Sequence, residues 1–302
     1  MNRTEIIPCE PDSGNAGEGK SCQSHRHPKS FLTYLLVMKA ILSNLKKIRE
    51  NSPLVQNITN YVVMNNTANA LLALGASPIM SHAHKESEDM IKIVQALVVN
   101  IGTLDEYWVK SMLLSAGKAH EMNIPWVLDP VGAGATPFRN ETLTQLVAFY
   151  PTVIRGNASE ILAMAKERIA SKGVDSTNTS QEALEAGKRL SVITHSVVCI
   201  SGEVDYITDG NRVAEIANGD PLMAKVTGMG CTASALIGAF LGVDKDPFQA
   251  TLSAMAIMGV AGEIAAHKSQ GPGTLQLYFY DALYNLTETQ LTDSLKITFH
   301  GQ

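Results

Sequence analysis

Residues 96–129 read ALVVNIGTLDEYWVKSMLLSAGKAHEMNIPWVLD, and the fold follows from this stretch. Residues 96–101 are an apolar run broken by Asn100, too short for a helix and apolar on both alternating faces, so they read as a buried strand. Residues 104–122 form an amphipathic helical stretch. Trp126–Asp129 reads as a second buried strand, and a Gly-rich turn follows it. Strands without a polar face must be covered on both sides, as in parallel sheets between two helical layers.

The same alternation continues outward in both directions. Before it come a helix at 62–74, a strand at 78–80 and a helix at 88–95. After it come a helix at 141–149, a strand at 152–154 and a helix at 158–170. A polar Ser/Thr/Asn loop at 176–180 leads to a helix at 181–194 and a strand at 196–200. Asp205–Thr208 then opens a hairpin closed by Asp209-Gly210, and the last third reads mostly as helix. The expected fold is α/β, three layers α/β/α around a mostly parallel central sheet. Ligands of such sheets gather at the carboxyl ends of the strands. The polar residues that end the strands are Asn100, Asp129, Arg155 and Ser201.

The 302 residues suit one domain plus a tail, and 45% are hydrophobic, enough for a large core. A net charge of -5 provides no general attraction for nucleic acid or anionic lipid. The sequence reading finds no stretch long and apolar enough to cross a bilayer, so no membrane association is expected. Cys9, Cys22, Cys199 and Cys231 form no CxxC pair and no zinc spacing, which points to a reducing, cytoplasmic setting. Residues 1–37 are expected to be a disordered or non-native leader: the first thirty are polar and aperiodic, and the apolar run 31–37 is too short for a signal core. An amphipathic helix is expected from Met38, and 38–302 is expected to be a single domain.

Three groups of residues carry chemistry. Gly228-Met229-Gly230-Cys231 precedes a helix start. Its glycines let successive N–H groups point outward, and the helix start adds partial positive charge, together a cradle for a phosphoryl group. Cys231 at such a start is expected to have a lowered pKa and to take or orient a hydroxyl proton; it reads equally well as a buried inert cysteine beside a packing loop. Asp129 ends one strand and Glu160 lies just beyond another, a pair that suits Mg²⁺, whereas Asn157 and Glu160 also have the spacing of a capping box. Arg155 suits a phosphate or an ion pair. Asn60 suits a small polar ligand or a helix cap, and Met80 an apolar pocket or the core. The sequence contains no Walker A motif.

Taken in order, SPLVQNITN (52–60), NALLALGASPIM (69–80), LDPVGAGATPFR (128–139), VIRGNASEI (153–161), SGEVDYITDG (201–210), GDPLMAKVTGMGC (219–231) and QGPG (270–273) resemble the hydroxyethylthiazole kinase family of the ribokinase-like superfamily, over about Ser52 to Leu286. The resemblance implies an ATP-dependent kinase of the thiamine pathway acting on the thiazole alcohol. It implies Met80, Gly228 and Asn60 as substrate contacts, Arg155 and Ser201 as ATP contacts, Asp129 and Glu160 as Mg²⁺ and phosphate-handling acids, and Cys231 at the catalytic position. It further implies a homotrimer with sites at subunit boundaries. Met229 departs from the Thr, Ser or Ala of the family, and Ser201 replaces Thr but keeps the hydroxyl.

Rival readings are a kinase for another alcohol such as a hydroxymethylpyrimidine, a lyase repairing hydrated nicotinamide cofactors, and an inactive binding protein. Asp129, Glu160 and the Gly–Cys turn speak against the last. The segments 52–60 and 75–80 favour the thiazole.

Overall fold

The computed structural model describes residues 28–168 and 180–300. Its described strands form one sheet in the order β2-β1-β3-β4-β5-β6-β7-β8-β9. These are β1 (Leu54–Ile58), β2 (Ser77–Ile79), β3 (Ala96–Asn100), β4 (Trp126–Asp129), β5 (Val153–Asn157), β6 (Val197–Ser201), β7 (Asp205–Thr208), β8 (Val213–Ile216) and β9 (Ile297–His300). Strands β1 to β6 pair in parallel, and β7 to β9 add antiparallel.

The helices are α1 (Pro28–Asn51), α2 (Met64–Leu74), α3 (Ser87–Ile91), α4 (Glu106–Met122), α5 (Pro137–Val147), α6 (Ala158–Arg168), α7 (Ser180–Thr194), α8 (Met229–Leu241), α9 (Pro247–Lys268), α10 (Pro272–Asn285) and α11 (Glu288–Ser294). They cover the sheet as two layers, and two buried clusters record this. Helices α1, α2 and α8 to α11 share one cluster with Val55, Val98, Val127, Val153 and Val197, and α3 to α7 share the other with Leu97, Leu128, Ile154 and Val198. The three-layer α/β/α fold is as expected. Adjacent strand residues divide between the layers because side chains alternate across a strand.

Local chemistry sets the element ends. Asp105 caps α4 through Trp108 N, and Asn123 closes it in the left-handed conformation at φ 55°. Thr136 and Asp246 cap α5 and α9, each followed by Pro, whose missing N–H costs nothing there.

Several expectations need correction. Strand β1 was not foreseen, because Gln56 and Asn57 break its apolar run, and β9 lies in the part read as helical. Helix α1 begins at Pro28 rather than Met38, and Tyr34 and Val37 pack against the first cluster. Helix α9 has the length and composition of a membrane span, contrary to the sequence reading. It is nonetheless a core helix, buried against α8, α10 and the sheet. The expected loop 176–180 lies almost wholly outside the described residues, as do residues 1–27 of the expected leader.

Candidate active site

Alternation along the strands places the chemistry on one face. Val55, Val98, Val127, Val153 and Val197 face the layer containing α8, so two residues on, Asn57, Asn100, Asp129, Arg155 and Cys199 fall on that face too. Ser201, two beyond Cys199, ends the row. Asn100 pairs in register with Asp129, and Arg155 with Cys199. Helix α8 runs against the strand direction. Its Gly238 lies over Val98 and Val55, its C-terminal Gly242 over Pro53, and its first turn over the carboxyl ends. The positive end of the helix therefore meets the polar row.

Gly228 starts this helix in the left-handed conformation, φ 86°. A Cβ there would strain the backbone and come within 2.6 Å of Val63 Cγ1. Gly230 is needed for a different reason: its Cβ would meet Arg155 Nη1 at 2.7 Å. Both glycines let the turn settle onto side chains from β5 and from the segment after β1.

A continuous polar chain crosses the sheet edge. Asn60 Nδ2 donates to Asn100 Oδ1 at 2.9 Å and to Cys231 Sγ at 3.5 Å. Asn100 Nδ2 donates to Asp129 Oδ2 at 2.7 Å, and Ser234 Oγ donates to the same oxygen at 2.7 Å. Further along, Arg155 Nη2 donates to Ser201 Oγ at 2.7 Å. Asp129 Oδ1 and Arg155 Nε are buried without a hydrogen-bond partner. Unpaired buried polar atoms are costly, and these two suit a ligand that would pair them.

Burial pushes the Asp129 carboxyl up to about 6; Arg155, Ser234 and Asn100 pull it down, and Glu160 pushes it up. Burial likewise pushes the Cys231 thiol up to about 11, and the nearby Asp129 adds to this against Asn100, Asn60 and Arg155. The expected lowering of the Cys231 pKa is therefore not what the structure holds. Enclosure and a neighbouring carboxylate outweigh the helix end, and the sulfur is a protonated thiol near neutral pH.

Of the two roles expected of Glu160, the capping one is visible in the structure. Its Oε2 accepts from Asn157 N at 2.8 Å while Asn157 Oδ1 accepts from Glu160 N at 3.0 Å, the reciprocal pattern of a capping box. Its Oε1 accepts from Gly132 N at 3.0 Å, tying the turn after β4 to α6. No group of three metal-ligating side chains occurs among the described residues. The donor set still fits Mg²⁺, which takes hard oxygens from one or two carboxylates and completes its shell with phosphates and water. The unpartnered Asp129 Oδ1 is such an oxygen.

Met80 is not part of this cluster. It follows the edge strand β2, half-buried, with Gln56 Nε2 donating to the carbonyl of the next residue, Ser81, at 3.2 Å. Sequence reasoning also missed three residues. Ser234 has no local signal, since a serine inside an apolar helix looks like filler. Arg139 donates to the carbonyls of Ile101, Val131 and Gly102 and so locks together the loops after β3 and β4. Asp205, which accepts from Gly202 N at 3.0 Å, is pushed up to about 6 by desolvation, while the Gly202 N–H and Arg155 pull it down.

The family model described as the Hydroxyethylthiazole kinase family matches residues 45–289. A hydroxyethylthiazole kinase of Leptospira biflexa is 54% identical over 260 residues, 86% of this chain and 97% of that protein. One from Syntrophus aciditrophicus is 57% identical over 255 residues, 84% and 94% of the two chains. The solved hydroxyethylthiazole kinase structure of Pyrococcus horikoshii superposes with a TM-score of 0.82 at 42% identity, covering 87% of this chain and 99% of that one. A Staphylococcus aureus pyridoxal kinase shares the fold alone, with a TM-score of 0.58 at 16% identity over 82% of this chain and 98% of that one.

Proposed function

The chain belongs to the hydroxyethylthiazole kinase family, and from that premise we propose that it moves the γ-phosphoryl group of ATP onto the primary alcohol of 4-methyl-5-(2-hydroxyethyl)thiazole. The observation that carries the site assignment is the convergence of Asn60, Asn100, Asp129 and Arg155 beneath the first turn of α8, which contains Cys231. Arg155 and Ser201 bind the nucleotide. Gly228 and Asn60 contact the thiazole alcohol, and Met80, apart from this cluster within one chain, lines the apolar side of the pocket from a neighbouring subunit of the trimer.

The alcohol oxygen attacks the γ-phosphorus as the bond to the β,γ-bridging oxygen breaks, and the alcohol proton passes to an oxygen of the transferred phosphoryl group as the new bond forms. The N–H groups of the turn 228–231 and the Arg155 guanidinium stabilise charge on the phosphoryl oxygens. Cys231 orients the hydroxyl through its sulfur. Phosphoryl transfer proceeds through a loose transition state that needs positioning and charge stabilisation more than a strong base, which suits a thiol that stays protonated. Asp129 and Glu160 would hold Mg²⁺, which would neutralise phosphate charge when bound. Assembly as a homotrimer is part of this reading. It is supported by Tyr61, Val62 and Tyr107, which are 58%, 59% and 50% exposed beside the substrate segments.

The test is alcohol-dependent ADP release with the thiazole alcohol and a hydroxymethylpyrimidine in parallel, together with melting temperature in each ligand. Ligands that bind the native state raise the melting temperature by mass action. Greater kcat/KM for the pyrimidine, or no thiazole-dependent ADP release, would overturn the reading.

A further inference from the structure

Asp129 uses its two oxygens unequally. Oδ2 accepts from Ser234 Oγ and Asn100 Nδ2, both at 2.7 Å, while Oδ1 is buried with no hydrogen-bond partner. A buried carboxylate oxygen without a partner costs free energy, so two donors crowding one oxygen is the less stable arrangement unless the other is kept for an incoming group. Ser234 is fully buried and lies three residues after Cys231, on the same face of α8. A serine inside a helix ordinarily bonds back to the carbonyl one turn earlier. Here that carbonyl, Gly230 O, is 3.5 Å away, and the short bond goes to Asp129 instead. One hydroxyl thus couples the helix that begins with the phosphoryl cradle to the acid at the end of β4.

We propose that Ser234 is a positioning residue for phosphoryl transfer: together with Asn100 it clamps Asp129 by Oδ2, so that Oδ1 is presented to the magnesium–nucleotide in register with the α8 turn and Cys231. The inference rests on the kinase reading. A hard, unpaired carboxylate oxygen suits Mg²⁺ or a water bound to it. Without the serine, the carboxylate keeps one of its two restraints and can rotate away.

Wild type, S234A and S234T are compared in thiazole-dependent ADP release across Mg²⁺ concentrations, and in calorimetry of ATP binding with and without Mg²⁺. Misplacement of a catalytic group by about 1 Å costs up to ~10²-fold, so S234A should lower kcat at least ~10-fold. It should raise the Mg²⁺ concentration for half-activity, and weaken ATP binding when Mg²⁺ is present but not when it is absent. KM for the alcohol should stay within about twofold, because Ser234 is fully buried and presents no surface to the alcohol. S234T, which keeps the hydroxyl, should recover most of the loss. If S234A does not fold, the near-isosteric S234C, a weak donor, is read in its place with the same expectations. Unchanged kcat and Mg²⁺ dependence, ATP binding weakened equally with and without Mg²⁺, or a loss not recovered by S234T would each overturn the inference. A wild-type chain without thiazole-dependent ADP release would instead remove the kinase reading itself.

Discussion

Cys231 and Asp129 stand at two ends of one hydrogen-bonded chain through Asn60 and Asn100, and their substitutions should separate. C231A should keep the fold and ATP binding while lowering kcat by up to ~10²-fold, the loss expected when a group that orients the attacking hydroxyl is removed. C231D should stay active: a carboxylate keeps an oxygen for the alcohol, although the burial that lifts the thiol will lift this group as well. Steady-state kinetics with melting temperatures decide the matter, and unchanged turnover in C231A beside a collapsed C231D would make Cys231 a packing residue. For the acids, D129N combined with E160Q should abolish turnover. The melting temperature should fall only modestly, since a Gln retains one of the two acceptors that Glu160 offers to Gly132 N and Asn157 N. Residual activity near the wild-type level would remove both from metal handling.

At the level of elements, the β6–β7 hairpin contains a partly buried acid with a pH signature. Asp205 has its pKa pushed from 3.8 up to about 6, chiefly by burial, with the Gly202 N–H and Arg155 pulling it down. A carboxyl whose folded pKa exceeds its unfolded value favours folding most when protonated. That stability is complete below 3.8 and is lost as pH rises through about 6. D205N imitates the neutral group, so it should be more stable than wild type at pH 7.5 and similar to it near pH 4. At ~1.36 kcal/mol per pH unit, the interval caps the gain at ~3 kcal/mol. Denaturant titrations at the two pH values check this, and a D205N less stable at pH 7.5 refutes it. The α8 start makes a second element-scale prediction: G228A must adopt φ 86° and displace Val63, so kcat/KM should collapse with less effect on ATP binding.

For the molecule as a whole, the question is how α1 joins the rest. Tyr34 and Val37 pack on the core, and Tyr34 Oη lies 3.5 Å from Leu295 O. A chain beginning at Met38 should still fold, assemble and turn over. Losing these partly buried side chains should cost about 1–2 kcal/mol. Thermal unfolding and light scattering measure both effects, and loss of assembly would show that 28–37 belong to the domain.

Much was legible because short-range physics wrote it. Apolar runs of strand length between amphipathic stretches required a covered parallel sheet, and the polar ends of those runs, Asn100, Asp129, Arg155 and Ser201, marked the carboxyl edge where the candidate site lies. The glycines at 228 and 230 announced a tight turn before a helix. Strand β1 was hidden because Gln56 and Asn57 are polar yet buried, which tertiary neighbours alone permit. Ser234 was silent for a related reason: a hydroxyl in an apolar helix has no meaning until α8 is laid antiparallel across β4 and Asp129 comes within 2.7 Å. The state of Cys231 was misread because a helix start is local, whereas the enclosure and the Asp129 charge that raise its pKa are brought from distant parts of the chain. The sequence by itself determined which residues line the edge. The tertiary structure decided which of them touch, which oxygen of Asp129 is left unpaired and whether the thiol is charged, because these depend on burial and on contacts between residues more than a hundred positions apart.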